Sequence, residues 1–257
     1  SGISVADDTY GVGDTVAVTI TATDNETGLT LSSKTFNGQA LTAITDNNDG
    51  TYSATYTVVE GDADVADGAN VSTSLAFTDG AGNSGAVITS VTLSGESIDA
   101  NNPTISSVTI PNTAMKVSLV VTATITVTSD SGTLSLDSGS IGGFSLGSLS
   151  KTNATTYTAT FTVTEGGTDV AADSSIPVSV VLVDSANNSS NTYTTAINQD
   201  SDAIDANSPT ISGVSVADGT YGVGDTVAIT ITATSSETGL TLSSKTFNGQ
   251  ALTAITD

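Results

Sequence analysis

Thr15-Val16-Ala17-Val18-Thr19-Ile20-Thr21-Ala22 is the stretch that decides the fold. Val16, Val18, Ile20 and Ala22 alternate with Thr15, Thr19 and Thr21, and a period of two places every large apolar side chain on one face of a strand. The same reading extends along the chain. Tyr52, Ala54, Tyr56 and Val58 predict a second strand, Leu75 and Phe77 mark a third, and Val87, Thr89, Val91 and Leu93 a fourth. Shorter strands are expected over residues 3–5, 30–36 and 41–44. Turn chemistry separates them at Asn37-Gly38, Asn48-Asp49-Gly50 and Gly80-Ala81-Gly82-Asn83. No window combines a 3.6-residue period with helix caps. Seven short strands in about 100 residues, each with one apolar face, predict an all-β, immunoglobulin-like sandwich. The chain has no Cys, so the sandwich is of the disulfide-free kind.

The pattern repeats. Residues 1–46 return as residues 212–257 with five changes: Ile3/Val214, Asp8/Gly219, Val18/Ile229, Asp24/Ser235 and Asn25/Ser236. A more diverged copy lies between them, recognisable in Tyr157-Thr158-Ala159-Thr160-Phe161-Thr162-Val163 against the stretch around Tyr52. The connector Ile98-Asp99-Ala100-Asn101-Asn102-Pro103-Thr104-Ile105 recurs as Ile204-Asp205-Ala206-Asn207-Ser208-Pro209-Thr210-Ile211. The period is about 105 residues, the size of one sandwich domain. We therefore expect repeat 1 over residues 1–100, repeat 2 over 101–206 and the first half of repeat 3 over 207–257. The array alternates two repeat types, since the outer copies match each other better than either matches the middle one. Repeat 3 lacks the strands that would close its second sheet, so it should expose an apolar face unless another chain segment completes it.

Composition excludes several classes of function. The 257 residues carry 27 Asp+Glu against 4 Lys+Arg, a net charge of −23, with no His, Cys or Trp. Ser-His-Asp and Cys-His catalysis and ordinary zinc sites are thereby excluded. Without basic residues nothing neutralises phosphates, so no nucleic-acid partner is expected. No run of about 18 apolar residues predicts membrane insertion. What remains are carboxylates, hydroxyls and amides, hard oxygen donors that suit calcium.

On an immunoglobulin-like map the turns fall at two ends of each sandwich, and the acidic residues gather where one repeat meets the next. The first junction receives Glu60 and Asp62 from the loop Glu60-Gly61-Asp62-Ala63-Asp64-Val65-Ala66-Asp67-Gly68. Asp99 and Asn101 come from the connector, and Asp130 and Asp184 from the near end of repeat 2. The second junction repeats the scheme with Glu165, Asp169, Asp202, Asp205, Asn207 and Glu237. Crowded carboxylates repel by about 1 kcal/mol per pair at 4 Å even in water, and a divalent cation relieves that. Calcium accepts six to eight oxygens in loose loops, where magnesium demands a tighter octahedron. Asp14 and Asp225 are read as turn residues. The run Asp46-Asn47-Asn48-Asp49-Gly50 has the spacing of part of an EF-hand loop without its terminal Glu, and an Asx-rich hairpin turn is the reading preferred.

These connectors, joined to Thr/Val-rich repeats of this length, resemble the extender region of giant bacterial RTX adhesins. Repeat 2, with Ile110-Pro111-Asn112-Thr113-Ala114-Met115-Lys116 and Thr162-Val163-Thr164-Glu165-Gly166-Gly167-Thr168-Asp169, is particularly similar to the repeats of the ice-binding members. The resemblance implies Ig-like domains that hold calcium at their junctions and stiffen into a tether outside a bacterial cell. It favours Glu60, Asp62, Asp99, Asn101, Asp130 and Asp184 as ligands. The function expected is a calcium-rigidified spacer at the bacterial cell surface, a monomeric filament whose partners are calcium ions and neighbouring repeats, with no small-molecule substrate. Each domain would add roughly 40 Å, from strands of about ten residues and their loops. The alternative is a glycan- or surface-binding module, which needs exposed aromatics; Tyr52, Tyr56, Phe77 and Phe161 instead follow the inward pattern. An enzyme is not expected, because small repeats without a cleft-forming insertion offer paired carboxylates no site.

Overall fold

The computed structural model describes residues 2–128, 132–198, 203–234, 239–253 and 256. The chain is all-β, a tandem of Ig-like sandwiches. Among the described residues it contains no α-helix and a single 3-10 turn, Thr23–Asn25. Repeat 1 runs through β1 (Gly2–Val5), β2 (Thr9–Tyr10), β3 (Thr15–Thr21), β4 (Thr30–Phe36), β5 (Gln39–Ala40), β6 (Thr42–Asp46), β7 (Thr51–Thr57), β8 (Asn70–Thr78), β9 (Ile88–Thr92) and β10 (Ser97–Ile98). One four-stranded sheet has the order β1-β3-β7-β6 and the facing one β5-β4-β8-β9. The alternation read in the sequence sets the core: Val16, Val18, Ile20, Tyr52, Ala54, Tyr56 and Val58 are buried, with Phe36 and Leu75 from the other sheet. Outside, β3 and β7 pair Thr15 with Thr57 and Thr21 with Thr51, the cross-strand Thr contacts that suit a wet face.

Two features depart from the expected strands. Val87 is 51% exposed and lies just before β9, and the β8·β9 register shifts between Ser72 and Leu75, where β8 carries one extra residue. β10 also belongs to the connector yet pairs in parallel with β2, Ile98 against Tyr10, so the exit of the repeat is sewn to its own beginning.

Repeat 2 builds the same sheet from β11 (Ile105–Thr109), β12 (Met115–Lys116), β13 (Val120–Val127), β14 (Ser135–Ile141), β15 (Phe144–Ser145), β16 (Ser150–Lys151), β17 (Thr156–Thr162), β18 (Ser175–Ile176), β19 (Val178–Val183), β20 (Ile197–Asn198) and β21 (Ile204–Asp205). Its sheets are β11-β13-β17-β16 and β15-β14-β19, and β12 pairs in parallel with β21 as β2 does with β10. A second, separate core forms around Ile125, Tyr157, Phe161, Ile141 and Leu182.

The described residues of 207–257 form no core of their own. β22 (Ile211–Val216) pairs with β23 (Ile229–Ala233), and β24 (Thr246–Phe247) with β25 (Gln250–Ala251). None of the described residues beyond Ala206 is buried, and Ile211, Val214, Tyr221 and Phe247 stand open to solvent.

Candidate functional site

The two junctions are built alike. At the first, the loop after β7 turns back onto the connector. Val65 and Ile98 exchange both backbone hydrogen bonds at 2.8 Å, and Gly61 N donates to Ala100 O at 2.9 Å. Asp64 Oδ1 accepts from Ala100 N at 2.8 Å and from Asn101 Nδ2 at 2.7 Å, while Glu60 Oε2 accepts from Asn102 N at 3.1 Å. At the second junction Val170 and Ile204 make the same exchange. Asp169 Oδ1 accepts from Ala206 N and Asn207 Nδ2, both at 2.8 Å. Glu165 accepts from Ser208 N at 2.9 Å and Ser208 Oγ at 2.6 Å. The Ser208 hydroxyl and amide hold the Glu165 carboxyl below its usual range. The connector aspartates lie within this arrangement: Asn101 N donates to Asp99 Oδ1 at 3.4 Å, and Asn207 N to Asp205 Oδ1 at 3.2 Å.

Of the residues singled out from the sequence, Glu60, Asp99 and Asn101 meet at the first junction, and Glu165, Asp169, Asp205 and Asn207 at the second. Asp130, Asp202 and Glu237 lie outside the described residues. Asp62 does not face the connector. Its Oδ2 accepts from Tyr56 Oη at 2.7 Å and Val59 N at 2.9 Å, and its Oδ1 from Gln39 Nε2 at 2.6 Å. Asn37, buried beneath, donates to Tyr56 Oη at 3.2 Å. The aspartate that joins Glu60 on the connector is Asp64, which sequence reasoning passed over. Its signal was present: Asp64 stands four residues after Glu60 as Asp169 does after Glu165, whereas Asp62 is matched by Gly167.

The Tyr56–Asp62 pair explains that mismatch. Burial pushes the Tyr56 phenol up, and the Asp62 carboxylate pushes it further, so it stays protonated and donates. Burial would raise Asp62, but hydrogen bonds from Tyr56, Gln39 and Val59 outweigh it and hold the carboxyl low. In repeat 2 the corresponding residues are Phe161, Gly167, Phe144 and Gly142, an apolar replacement of the whole cluster. Phe144 and Phe161 stack there with ring centroids 6.0 Å apart. Repeat 3 carries Asn248 and Gln250, the polar version again.

Asp184 sits in the turn that repeat 2 presents to repeat 1. Its carboxylate accepts from Ala186 N at 2.8 Å and from Asn188 N and Nδ2, both at 2.9 Å. Asp184 and Asn188 are both buried. Asn188 then bridges the repeats: Nδ2 donates to Asp99 O at 3.0 Å and Oδ1 accepts from Val12 N at 2.6 Å. Repeat 1 has the same turn. Asp79 accepts from Ala81 N at 2.9 Å and from Asn83 N and Nδ2, both at 2.8 Å. The Asn83 bonds hold Asp79 below its ordinary value. The remaining acidic motifs are turns, as read: Asp14 Oδ2 accepts from Gly11 N at 2.8 Å, and Asp46 Oδ1 from Asn48 N at 2.8 Å.

The oxygens gathered at each junction suit calcium by type. By count they fall short, since among the described residues no group of three or more acidic side chains stands close enough to hold an ion. Glu60, Asp64 and Asn101, or Glu165, Asp169 and Asn207, would be part of a shell that needs further ligands.

The depressed carboxyls give a pH prediction. Asp62, Asp79 and Glu165 have folded pKa values below their unfolded ones, so their contribution is complete above about pH 4–5 and is lost as pH falls through the folded values. Melting temperature should hold from neutral pH to about 5 and drop below about 4. Asp62→Asn should flatten the acid limb for repeat 1; an unchanged limb would remove Asp62 from the account.

No protein-family model matches the chain, and no curated protein matches it. Solved structures do. The chain is similar to the fibronectin(III)-like modules of Clostridium thermocellum CbhA at 14% identity and a TM-score of 0.34, covering 80% of this chain and 95% of that one. It is similar to SGBP-B of the Bacteroides ovatus mixed-linkage glucan utilization locus, solved with a mixed-linkage heptasaccharide, at 17% identity and a TM-score of 0.22. That match covers 86% of this chain and 50% of that one. A third likeness, to Rst D1-D2, has 12% identity and a TM-score of 0.30, covering 78% and 99%.

Proposed function

We propose that the chain is a stretch of a spacer, a tandem of Ig-like sandwiches dividing near residues 100 and 206, whose junctions fix one repeat against the next. The observation that carries this reading is the double anchorage of the connector. Residues 97–102 are bonded to repeat 1 through Tyr10, Val65 and Asp64, and the same stretch receives Asn188 of repeat 2 at Asp99. A flexible tether would have no reason to bury an asparagine and an aspartate in its path. The role is mechanical, and no catalytic step is assigned to it.

The reading extends to calcium at both junctions and to a place outside a bacterial cell, as part of an adhesin of the RTX kind. It is supported by hard oxygen donors repeated at equivalent positions and by a net charge of −23 that cations would offset. No described helix is long and apolar enough to cross a membrane. An extracellular module binds calcium at about 10⁻⁴–10⁻³ M, so 10 mM calcium would add about 1.4–2.7 kcal/mol per site. Melting and small-angle scattering in calcium and then in chelator test this. The expected result is a lower melting temperature and a changed maximum dimension after chelation. Coincident curves in both conditions would refute the calcium part and leave the spacer part standing.

A further inference from the structure

Gly11 is glycine for a reason that lies in the neighbouring repeat. Gly13, two residues on, holds φ +90, a conformation that side chains rarely adopt, but Gly11 is not in that region. No left-handed φ singles out glycine there. What forbids a side chain is the turn of repeat 2: a Cβ at Gly11 would lie 2.6 Å from Asn188 Oδ1 and closer still to Ala186 O. The absent side chain lets Asn188 approach until its Oδ1 takes Val12 N at 2.6 Å and its Nδ2 reaches Asp99 O at 3.0 Å. The second Nδ2 hydrogen goes to Asp184, at 2.9 Å, so the Asn188 amide is held in one orientation and satisfied on three sides.

The other repeats differ at this position in a patterned way. In repeat 2 the parallel pairing of Met115 with Ile204 corresponds to that of Tyr10 with Ile98, which puts Lys116 where repeat 1 has Gly11. In repeat 3, Tyr221-Gly222-Val223 restores the glycine. The end is preformed there as well. Gly222 N donates to Asp225 Oδ2 at 2.6 Å, as Gly11 N does to Asp14 Oδ2 at 2.8 Å. Tyr221 Oη donates to Ala217 O as Tyr10 Oη does to Ala6 O. Val223 is fully exposed.

We infer that this contact reads the order of repeats. A Gly-Val end accepts a following repeat that presents the Asp-Ser-Ala-Asn-Asn turn of residues 184–188, and a Lys-Val end rejects it. The Gly222-Val223 end of repeat 3 is a second docking surface of the same kind, and its partner is another Ig-like repeat of the repeat-2 type. The inference rests on the spacer reading, because order matters only where junctions are fixed.

The absence of cysteine makes the test clean. Spin labels on Ser72→Cys and Thr160→Cys, exposed strand positions in repeats 1 and 2, report the distance distribution across the first junction in the full chain. The unsubstituted chain should give one narrow peak. Gly11→Lys, and the milder Gly11→Ala, should abolish that peak while both repeats keep their melting transitions, and Gly222→Lys should leave it untouched. In a chain lengthened after Asp257 by a second copy of residues 47–206, which completes repeat 3 and adds another repeat of the second type, Gly222→Lys should abolish the peak at the new junction. A narrow peak that survives Gly11→Lys and Gly11→Ala overturns the order-reading contact alone. A broad distribution in the unsubstituted chain overturns both that contact and the spacer reading.

Discussion

Tyr56→Ala is expected to destabilise repeat 1 by about 3–5 kcal/mol, comparable to the whole stability of a small sandwich. Tyr56 is completely buried, packs against Phe36 with ring centroids 5.5 Å apart, and donates to Asp62. Truncation opens a cavity and also takes one hydrogen bond each from the Asp62 carboxylate and the buried Asn37 amide, which keep Gln39, Val59 and Ala63 as partners. The two losses can be separated. Tyr56→Phe keeps the ring and should cost about 1.5–3 kcal/mol, the worth of a hydrogen bond to a charged group. Repeat 2 shows how to recover it: the combination Asn37→Gly, Gln39→Phe, Tyr56→Phe and Asp62→Gly copies its apolar cluster and should be more stable than Tyr56→Phe alone. Denaturant melts of the four proteins check this, and a combined variant no better than the single one would show that the polar cluster is not an independent unit.

The converse change should be as damaging. Gly167→Asp places repeat 1's residue in repeat 2 and should cost about 3 kcal/mol or more. A Cβ there would lie 2.6 Å from Phe144 Cε1 and 3.1 Å from Ala206 Cβ, against a rigid ring on one side and the connector on the other. The carboxylate would then face Phe161, which has no hydroxyl to offer. Adding Phe144→Gln and Phe161→Tyr should restore much of the loss, since they supply the donors that Asp62 uses in repeat 1. Because Ala206 belongs to the connector, Gly167→Asp should also disturb the second junction, visible as shifted amide resonances at Ala206 and Asn207.

Most of the fold was legible in the sequence because it rests on local periodicity. The alternation through Val16, Val18 and Ile20 gives both the strand and its buried face. Asn37-Gly38 reads as a hairpin turn because two successive positive φ angles, 48 and 81, suit Asn and Gly. The β8·β9 irregularity was not legible, since one extra residue on β8 leaves no mark on composition. At the first junction the acidic loop after β7 does lie against the connector, but through Asp64 and not Asp62. Asp62 and Asp64 are two apart and share a face by pattern; the Tyr56 hydroxyl, the Gln39 amide and Val59 N together draw Asp62 off the connector. The bond from Val12 to Asn188 spans 176 residues and has no local signature at all. Its trace in the sequence is comparative: the Asp-x-Ala-x-Asn turn at 79–83 recurs at 184–188, and Gly11 stands where repeat 2 has Lys116.

The central claim is that the connector and Asn188 hold repeats 1 and 2 as one body. Backbone ¹⁵N relaxation on the full chain tests it most directly, because amides of β3 and β7 report on repeat 1 and those of β13 and β17 on repeat 2. A single shared anisotropic tumbling tensor for both sets is the predicted result. Two separate tensors, each tumbling at the rate of an isolated domain of about 100 residues, would contradict it.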